Sequence, residues 1–316
     1  MNSQNPVRVS AVVCTYQNPG LLESAIRSLL EQDLPPDEYE IIVVDNNSQD
    51  ETPRVVERLG CNRSPPVRYV QETRQGLSHA RNRGVKAALA DIVAFLDDDA
   101  EAERGWLSGL LEAYGKHPDI WAVGGRILPI WHTCERPEWW TEDYLAWLSL
   151  IDWGDAPRAL TWPERILGTN CSFRKSVFRE FGYFDPRLGR RGKALLGHEE
   201  TEIQQRIHLE NKVVFYTPDS VVRHHVPAER LSEEYILRRQ FGAARSKMAL
   251  IRKRQGYRPA VLEAVAAGRR LGRVSLVLAA GVLNRRRQTD FEDKRMVYES
   301  CGLIAGLAED LFSFDS

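Results

Sequence analysis

Three consecutive carboxylates, Asp97, Asp98 and Asp99, directly follow the apolar run Ile92–Leu96. A continuous apolar run predicts a strand that is covered on both faces. Acids at its end would lie at the carboxyl edge of a sheet, where open α/β folds bind ligands. Because adjacent carboxylates repel one another, the cluster favours a bound cation, and its oxygens suit Mg²⁺ or Mn²⁺. The alternative is a solvated loop that caps the next helix, since Asp is a favourable N-cap residue.

Two other predicted strands also end in polar residues. The run Val7–Cys14 is followed by Thr15–Gln17, and the run Glu40–Asp45 by Asn46–Ser48. Parallel strands share one carboxyl edge, so we expect these residues beside the three aspartates. A dinucleotide-binding unit would need three glycines after the first strand, and only Gly20 is present there.

These strands belong to an alternating pattern that fills the first 125 residues. Apolar runs of strand type alternate with segments of helical period, which predicts an α/β fold with a mostly parallel sheet and helices on both faces. The predicted strands are Val7–Cys14, Glu40–Asp45, Val67–Val70, Ile92–Leu96 and Ile120–Gly124, and the predicted helices are Gly20–Leu30, Glu51–Leu59, Leu77–Leu89 and Trp106–Tyr114.

The second half of the chain is less regular. A tryptophan-rich stretch from Trp131 to Trp162 precedes predicted helices at Arg174–Phe181 and Glu199–Leu209 and a strand at Val213–Tyr216. From Ser232 the pattern is helical. We therefore predict an α/β domain over residues 1–228 and a basic helical extension over residues 229–316.

Composition narrows the compartment and the class of partner. The formal net charge is −1, so the whole chain is not a general polyanion binder. Five cysteines, none spaced as a zinc knuckle, indicate a reducing environment without a disulfide framework. We find neither a signal-peptide core nor an apolar run of membrane-spanning length. The expected location is the cytoplasm, and the inner face of the cell membrane is the alternative location within it.

Six motifs, taken together, resemble the family-2 glycosyltransferases over roughly residues 7–228. In chain order they are Thr15–Gln17, Val44–Ser48, Gly76–Gly84, Asp97–Asp99, Gly168–Asn170 and Gly197–Glu202 followed by Arg206. The resemblance implies the nucleotide-sugar GT-A fold, a Rossmann-like sheet, and transfer of a sugar from a nucleotide donor.

The resemblance also implies roles for individual residues in donor binding. Asp45 would accept a hydrogen bond from the imide of a uracil-type base, and Arg81 would pair with phosphate, although a surface helix arginine is an alternative. The middle acid of the aspartate motif is expected to be structural. The implied nucleotide-binding set is Thr15, Tyr16, Gln17, Asp45, Asn47, Arg81, Asp97 and Asp98.

For the metal, the resemblance implies that Asp99 binds Mn²⁺ or Mg²⁺, which bridges the diphosphate and neutralises the leaving group. A histidine at His224 or His225 would complete the shell, and His224 matches better by position. A nitrogen ligand would favour manganese.

The acidic pair Glu199–Glu200 is the implied general base, which removes a proton from the acceptor hydroxyl. The family usually has Glu-Asp there, so which of the two acts is left open. The alternative is a pair of acids that stabilises a helix N-terminus. Glu202 and Arg206 are explained by an ion pair across one helical turn.

The acceptor and the basic tail are less defined. Gly168, Trp139, Trp140 and Trp153 are candidates for the sugar or acceptor site, with core packing as the alternative for the tryptophans. Residues 223–287 carry 16 Lys/Arg against 4 Asp/Glu. This charge fits contact with an anionic membrane, a landing surface for a lipid diphosphate, or a solvated face. Nucleic acid is disfavoured because stacking aromatics are sparse.

Together these features predict a metal-dependent, inverting glycosyltransferase that uses a nucleotide diphosphate sugar, with UDP preferred, and a glycan or lipid-linked hydroxyl acceptor. The two alternatives are a sugar nucleotidyltransferase, which would need a basic loop after the first strand, and a non-catalytic partner of glycan assembly. Oligomeric state is left open.

Overall fold

The computed structural model describes residues 7–61, 63–133, 135–192, 194–283 and 291–312. The chain divides into two compact units. Unit 1 comprises residues up to His132 together with Leu148–Pro186 and Glu199–Val226. Unit 2 comprises Thr133–Trp147, Arg187–His198 and the chain from Pro227 onward. The sequence did not predict that the first two of these segments join the C-terminal helices.

Unit 1 is built on the alternating pattern expected for its first half. Its strands are β1 (Val9–Thr15), β2 (Tyr39–Asp45), β3 (Val67–Gln71), β4 (Ile92–Asp97), β5 (Ala100–Ala102), β6 (Ile120–Trp131), β7 (Arg158–Ala159), β8 (Asn170–Arg174) and β9 (Val213–Val226). Its helices are α1 (Pro19–Leu30), α2 (Thr52–Gly60), α3 (Leu77–Ala87), α4 (Trp106–Lys116), α5 (Lys175–Phe181) and α6 (Glu199–Leu209).

All nine strands form one sheet in the order β3-β2-β1-β4-β8-β6-β9-β5, with β7 paired to β9. The predicted α/β fold class is confirmed. Strands β5, β7 and β8, which were not predicted, enter the sheet antiparallel, so the sheet is mixed. Two apolar clusters cover its faces, one including α1, α2 and α4 and the other including α3, α5 and α6.

In its described residues, unit 2 contains the long helices α7 (Glu233–Gln255), α8 (Tyr257–Leu283) and α9 (Phe291–Phe312). The Ser232 side chain accepts a hydrogen bond from the Tyr235 amide and caps α7. Small and flexible apolar side chains form the core of these helices: Ala244, Met248, Ala260, Ala267, Leu303 and Leu307. Arg285–Arg287, which belong to the basic stretch 223–287, lie outside the described residues. Within the described ranges, no helix combines the length and apolar character that crossing a bilayer requires.

Candidate active site

Strand register brings the predicted polar residues to one edge of the sheet in unit 1. Parallel pairing places Thr15 beside Asp45 and Cys14 beside Asp97. The antiparallel strand β8 pairs Asn170 with Leu96, so the loop before β8 reaches the aspartate motif. The ends of β1, β2 and β4 therefore meet as expected, and β8 adds a fourth contributor.

Arg81, on α3, is the centre of this edge. Its guanidinium donates to Glu199 Oε1 at 2.6 Å, to Asp97 Oδ1 at 3.2 Å and to the Gly168 carbonyl oxygen at 3.1 Å. The side chain is only 2% exposed. One buried cation thus joins the aspartate motif to the glutamate pair, so the two acidic motifs share one site.

The predicted phosphate contact of Arg81 stays a prediction, and the structure shows this side chain paired with two protein carboxylates. Burial alone would lower the pKa of the guanidinium, but the Glu199 and Asp97 carboxylates raise it above its usual value. The ring of Phe95 also lies 5.6 Å from the guanidinium carbon. The fixed cation is therefore engaged by protein carboxylates, and it positions them.

The Gly168 backbone lies against this guanidinium, which explains a glycine in the motif. A Cβ atom at Gly168 would lie 2.5 Å from Arg81 Nη2 and 2.9 Å from Nη1.

We expect Gly168→Ala to displace the Arg81 guanidinium and to lower turnover about tenfold or more, as misplacement near a site does. Gly115→Ala is the matched control, since a Cβ there meets nothing within 4 Å. Equal initial rates for the two variants would contradict this reading.

The three aspartates have different surroundings. Asp97 Oδ2 accepts a hydrogen bond of 2.7 Å from Thr169 in addition to the Arg81 contact. Asp98 Oδ2 accepts one of 2.7 Å from Thr15. Burial, and then the Asp99 carboxylate, raise the pKa of Asp98 to about 7, although the Thr15 hydrogen bond opposes the shift. Asp98 is thus tied to the end of β1, and its expected structural role stays a prediction.

Asp99 faces His224, and the pairing of Ala100 with His224 between β5 and β9 brings them together. Nδ1 of His224 lies 2.9 Å from the Leu148 carbonyl oxygen, which can only accept, so Nδ1 carries a proton. Nε2 lies 3.2 Å from Asp99 Oδ1. With the other nitrogen tied to a carbonyl, Nε2 has the orientation of a metal-binding imidazole.

His225 turns away from Asp99. Its Nε2 lies 2.9 Å from Glu101 Oε1 and its Nδ1 lies 2.9 Å from Nε2 of His132. Of the two adjacent histidines, His224 is therefore the one placed to join Asp99. Among the residues that the structure describes, no group of three or more His, Cys, Asp or Glu side chains is arranged to hold a metal. Asp99 and His224 would supply two ligands, and substrate phosphates and waters would have to supply the others.

The glutamate pair opens α6, as predicted. Glu199 and Glu200 are both buried. Burial, and then the neighbouring Glu200 carboxylate, raise the pKa of Glu199 to about 8 against the attraction of Arg81. Two interacting carboxyls titrate as a unit, so the pair retains a proton to a higher pH than an exposed acid would. Glu202 pairs with Arg206, as expected.

The predicted base pocket surrounds Asp45, which is buried at the end of β2. Its Oδ1 accepts from the Ser48 amide at 2.8 Å and its Oδ2 from the Tyr69 hydroxyl at 2.7 Å. Gln17 and Asn47 both adopt positive φ, of 52° and 68°, and the Gln17 amide donates to Ser48 Oγ. Tyr16 is 39% exposed. The two strand-end loops are thus tied together around the Asp45 carboxylate.

Several residues that hold the site were not singled out from the sequence. Asn46 Nδ2 donates to the carbonyls of Glu72 and Arg74, and its Oδ1 accepts from the Gly76 amide, which fixes the start of α3. Tyr69 contacts Asp45 from β3. Asn46 and Thr169 lie within the quoted motifs, whereas no local signal marks Tyr69.

The tryptophans predicted as acceptor candidates make packing contacts in the structure, and their acceptor role stays a prediction. Trp153 packs against the core of unit 1 and donates from Nε1 to the Arg165 carbonyl. In unit 2 the ring of Trp139 lies 4.4 Å from that of Phe291 and 6.0 Å from that of Trp140. These contacts correspond to the core-packing alternative.

The geometry has a counterpart in a known family. The model of Glycosyl transferase family 2 matches residues 10–182, more than half of the chain. The chain belongs to this family. As a family-2 glycosyltransferase it is an enzyme, and the resemblance inferred from the six motifs is confirmed.

Individual relatives agree with that membership. A glucosyl-dolichyl phosphate glucuronosyltransferase of Haloferax volcanii is 31% identical over 247 residues, which cover 77% of either chain. The succinoglycan biosynthesis protein ExoM of Rhizobium meliloti is 27% identical over 301 residues, covering 93% of this chain and 91% of its own.

The fold is likewise that of solved glycosyltransferases. The mannosyltransferase PcManGT of Pyrobaculum calidifontis, solved in complex with GDP-Man and Mn²⁺, superimposes with a TM-score of 0.62 at 21% identity. The match covers 99% of this glycosyltransferase and 89% of the other. At that identity the likeness shows the fold alone, which is the GT-A fold.

Proposed function

We propose that this family-2 enzyme transfers a sugar from a nucleoside diphosphate donor, with a UDP-sugar as the first candidate, to a hydroxyl group with inversion. The observation that carries the proposal is the buried contact of Arg81 with both Asp97 and Glu199. The aspartate motif and the glutamate pair are thereby held together at one edge of the sheet. Family membership favours glycosyl transfer over nucleotidyl transfer.

A divalent metal would be held by Asp99 and His224. The carboxylate oxygen and the Nε2 lone pair face each other at 3.2 Å, an arrangement that a proton or cation between them stabilises. A mixed oxygen and nitrogen pair suits Mn²⁺, the ion in the PcManGT complex. When bound, such an ion would neutralise the diphosphate leaving group.

Glu200 is the residue we assign as general base. Glu199 is engaged by Arg81 at 2.6 Å, so its carboxylate is held as part of the framework. Glu200 is the adjacent acid at the same helix start, and its deprotonation of the acceptor hydroxyl would direct attack on the anomeric carbon from the face opposite the diphosphate. A single displacement of that kind inverts the configuration.

For the acceptor we propose a hydroxyl of a lipid-linked or cell-surface glycan. The similarity to a glucosyl-dolichyl phosphate glucuronosyltransferase supports this class of acceptor. A lipid-linked acceptor requires the enzyme to work at a membrane surface, and we place it at the inner face of the cell membrane. The basic C-terminal helices would make the contact.

The metal assignment is tested by Asp99→Asn. We expect this variant to lose the gain in UDP affinity that Mn²⁺ produces, because the carboxylate oxygen is the harder of the two proposed ligands. Isothermal calorimetry with UDP, with and without Mn²⁺, measures the effect. His224→Gln should weaken the Mn²⁺-dependent part, and His225→Gln is the matched control that should leave it unchanged. An unchanged affinity in the Asp99 variant would refute the site.

A further inference from the structure

Helix α8 carries an apolar surface that unit 2 does not use for its own core. The face made by Ala260, Ala264 and Ala267 packs against α7 and α9. On another face, Tyr257, Val261 and Val265 recur every four residues and are 39–47% exposed, and Leu262 is 68% exposed. Residues at this spacing lie on one side of a helix. Clustered exposed apolar residues of this kind mark an interaction surface.

Between residues 257 and 273, which the structure describes, the same side is basic and carries no carboxylate. Arg258, Arg269 and Arg273 are all exposed. The one acidic residue of α8, Glu263, lies beside Lys247 and Arg270, at 3.6 Å and 3.5 Å. The basic end of α7 adjoins this side, since Arg252 donates to the Tyr257 hydroxyl at 3.0 Å.

A role in helix stability does not account for these arginines. Cations in the last turn of a helix are stabilised by its dipole, which explains Arg252–Arg254 at the end of α7. Arg258, Arg269 and Arg273 lie in the first turn and the middle of α8, where the dipole gives no such benefit. Their common feature is the exposed side that they share with Val261, Leu262 and Val265.

We infer that this side of α8, residues 257–273, binds the surface of an anionic phospholipid membrane, with its apolar side chains inserted at the headgroup boundary. A mixed basic and apolar face is the composition of helices that lie in a membrane interface. Arginine side chains reach phosphates while their stems contact acyl chains. The inference rests on the membrane contact proposed above and assigns it to one side of α8. Because it concerns unit 2 alone, its failure would remove that contact and leave the proposed transfer chemistry untouched.

Vesicle sedimentation of the full chain tests the inference. The protein should bind phosphatidylcholine vesicles that contain phosphatidylglycerol, and it should bind neither pure phosphatidylcholine vesicles nor the mixed vesicles at high salt. Replacing Arg258, Arg269 and Arg273 by Gln should weaken binding on the order of 100-fold. Replacing Val261, Leu262 and Val265 by Ser should weaken it about tenfold or more.

The matched control removes the same charge elsewhere. Arg63, Arg104 and Arg179 are exposed in unit 1, and their replacement by Gln should leave vesicle binding within about twofold, as distant surface changes do. The inference would be overturned if the two variants that each lose three arginines bound vesicles equally weakly, or if the variant with three serines bound them fully. Either result would mean that the protein is attracted to polyanions in general. A dimer in solution that the three serine substitutions dissociate would also overturn the inference, in favour of a second copy. An unchanged far-ultraviolet circular dichroism spectrum confirms that the helices of each variant are folded.

Discussion

Glu200→Gln is expected to lower kcat by ~10²–10⁴ while the affinity for the UDP-sugar and Mn²⁺ stays close to that of the wild type, the usual range for loss of a general base. Glutamine has nearly the same size and retains hydrogen bonding, so donor binding should persist. What it lacks is the capacity to accept the acceptor's proton. Initial rates at saturating donor, together with calorimetric donor affinity, measure the two parts separately.

The control for this variant is Glu200→Asp. The resemblance to the family, which usually has Asp at this point, leads us to expect activity within about tenfold of the wild type, because a carboxylate remains at the site. A Glu200→Gln enzyme with normal turnover would remove Glu200 from the reaction. If Glu199→Gln were folded and inactive while Glu200→Gln remained active, the base would be Glu199.

Arg81→Met is expected to lower the free energy of unfolding by about 3–5 kcal/mol, the range for breaking a buried ion pair on one side. The methionine would fill part of the space but leave the Glu199 carboxylate, which lies 2.6 Å from the guanidinium, buried without its cation. Urea unfolding followed by circular dichroism measures the change. Arg81→Lys should also be destabilised, since an ammonium group lacks the fork that reaches Glu199, Asp97 and the Gly168 carbonyl together.

A second substitution separates charge from packing in this result. In the double variant Arg81→Met with Glu199→Gln no uncompensated carboxylate remains at Glu199, so we expect it to recover part of the lost stability. Arg63→Gln, at an exposed position, should change stability by less than about 0.5 kcal/mol. A loss below about 1 kcal/mol for Arg81→Met would mean that the buried network contributes little.

The central strands could be predicted from the sequence because a strand that is buried on both faces consists mostly of apolar residues. Val9–Val13, Ile41–Val44 and Val93–Leu96 are rich in strand-forming residues, and every residue in them is buried. Strand β5 has three residues, and β8 mixes polar and apolar ones. Neither strand is therefore recognisable from its pattern of apolar residues. Their antiparallel pairing depends on contacts between distant segments.

The same distinction applies to the site. That the Asp97–Asp99 motif and the Glu199–Glu200 pair would share a site was predicted from the family resemblance. His224 was preferred to His225 only through the family resemblance, because the sequence does not reveal the register between β5 and β9 that lets His224 face Asp99. The role of Arg81 was also hidden, because a local pattern does not distinguish a surface arginine from one buried between two carboxylates.

The bridge formed by Arg81 has a consequence for how substitutions combine. Asp97 and Glu199 are far apart in the chain but bind the same guanidinium, so losing either one changes the environment of the other. Their separate effects on stability or rate will therefore not add up. In natural relatives, replacement of one of these three residues should be accompanied by replacement of another, so the three positions should covary.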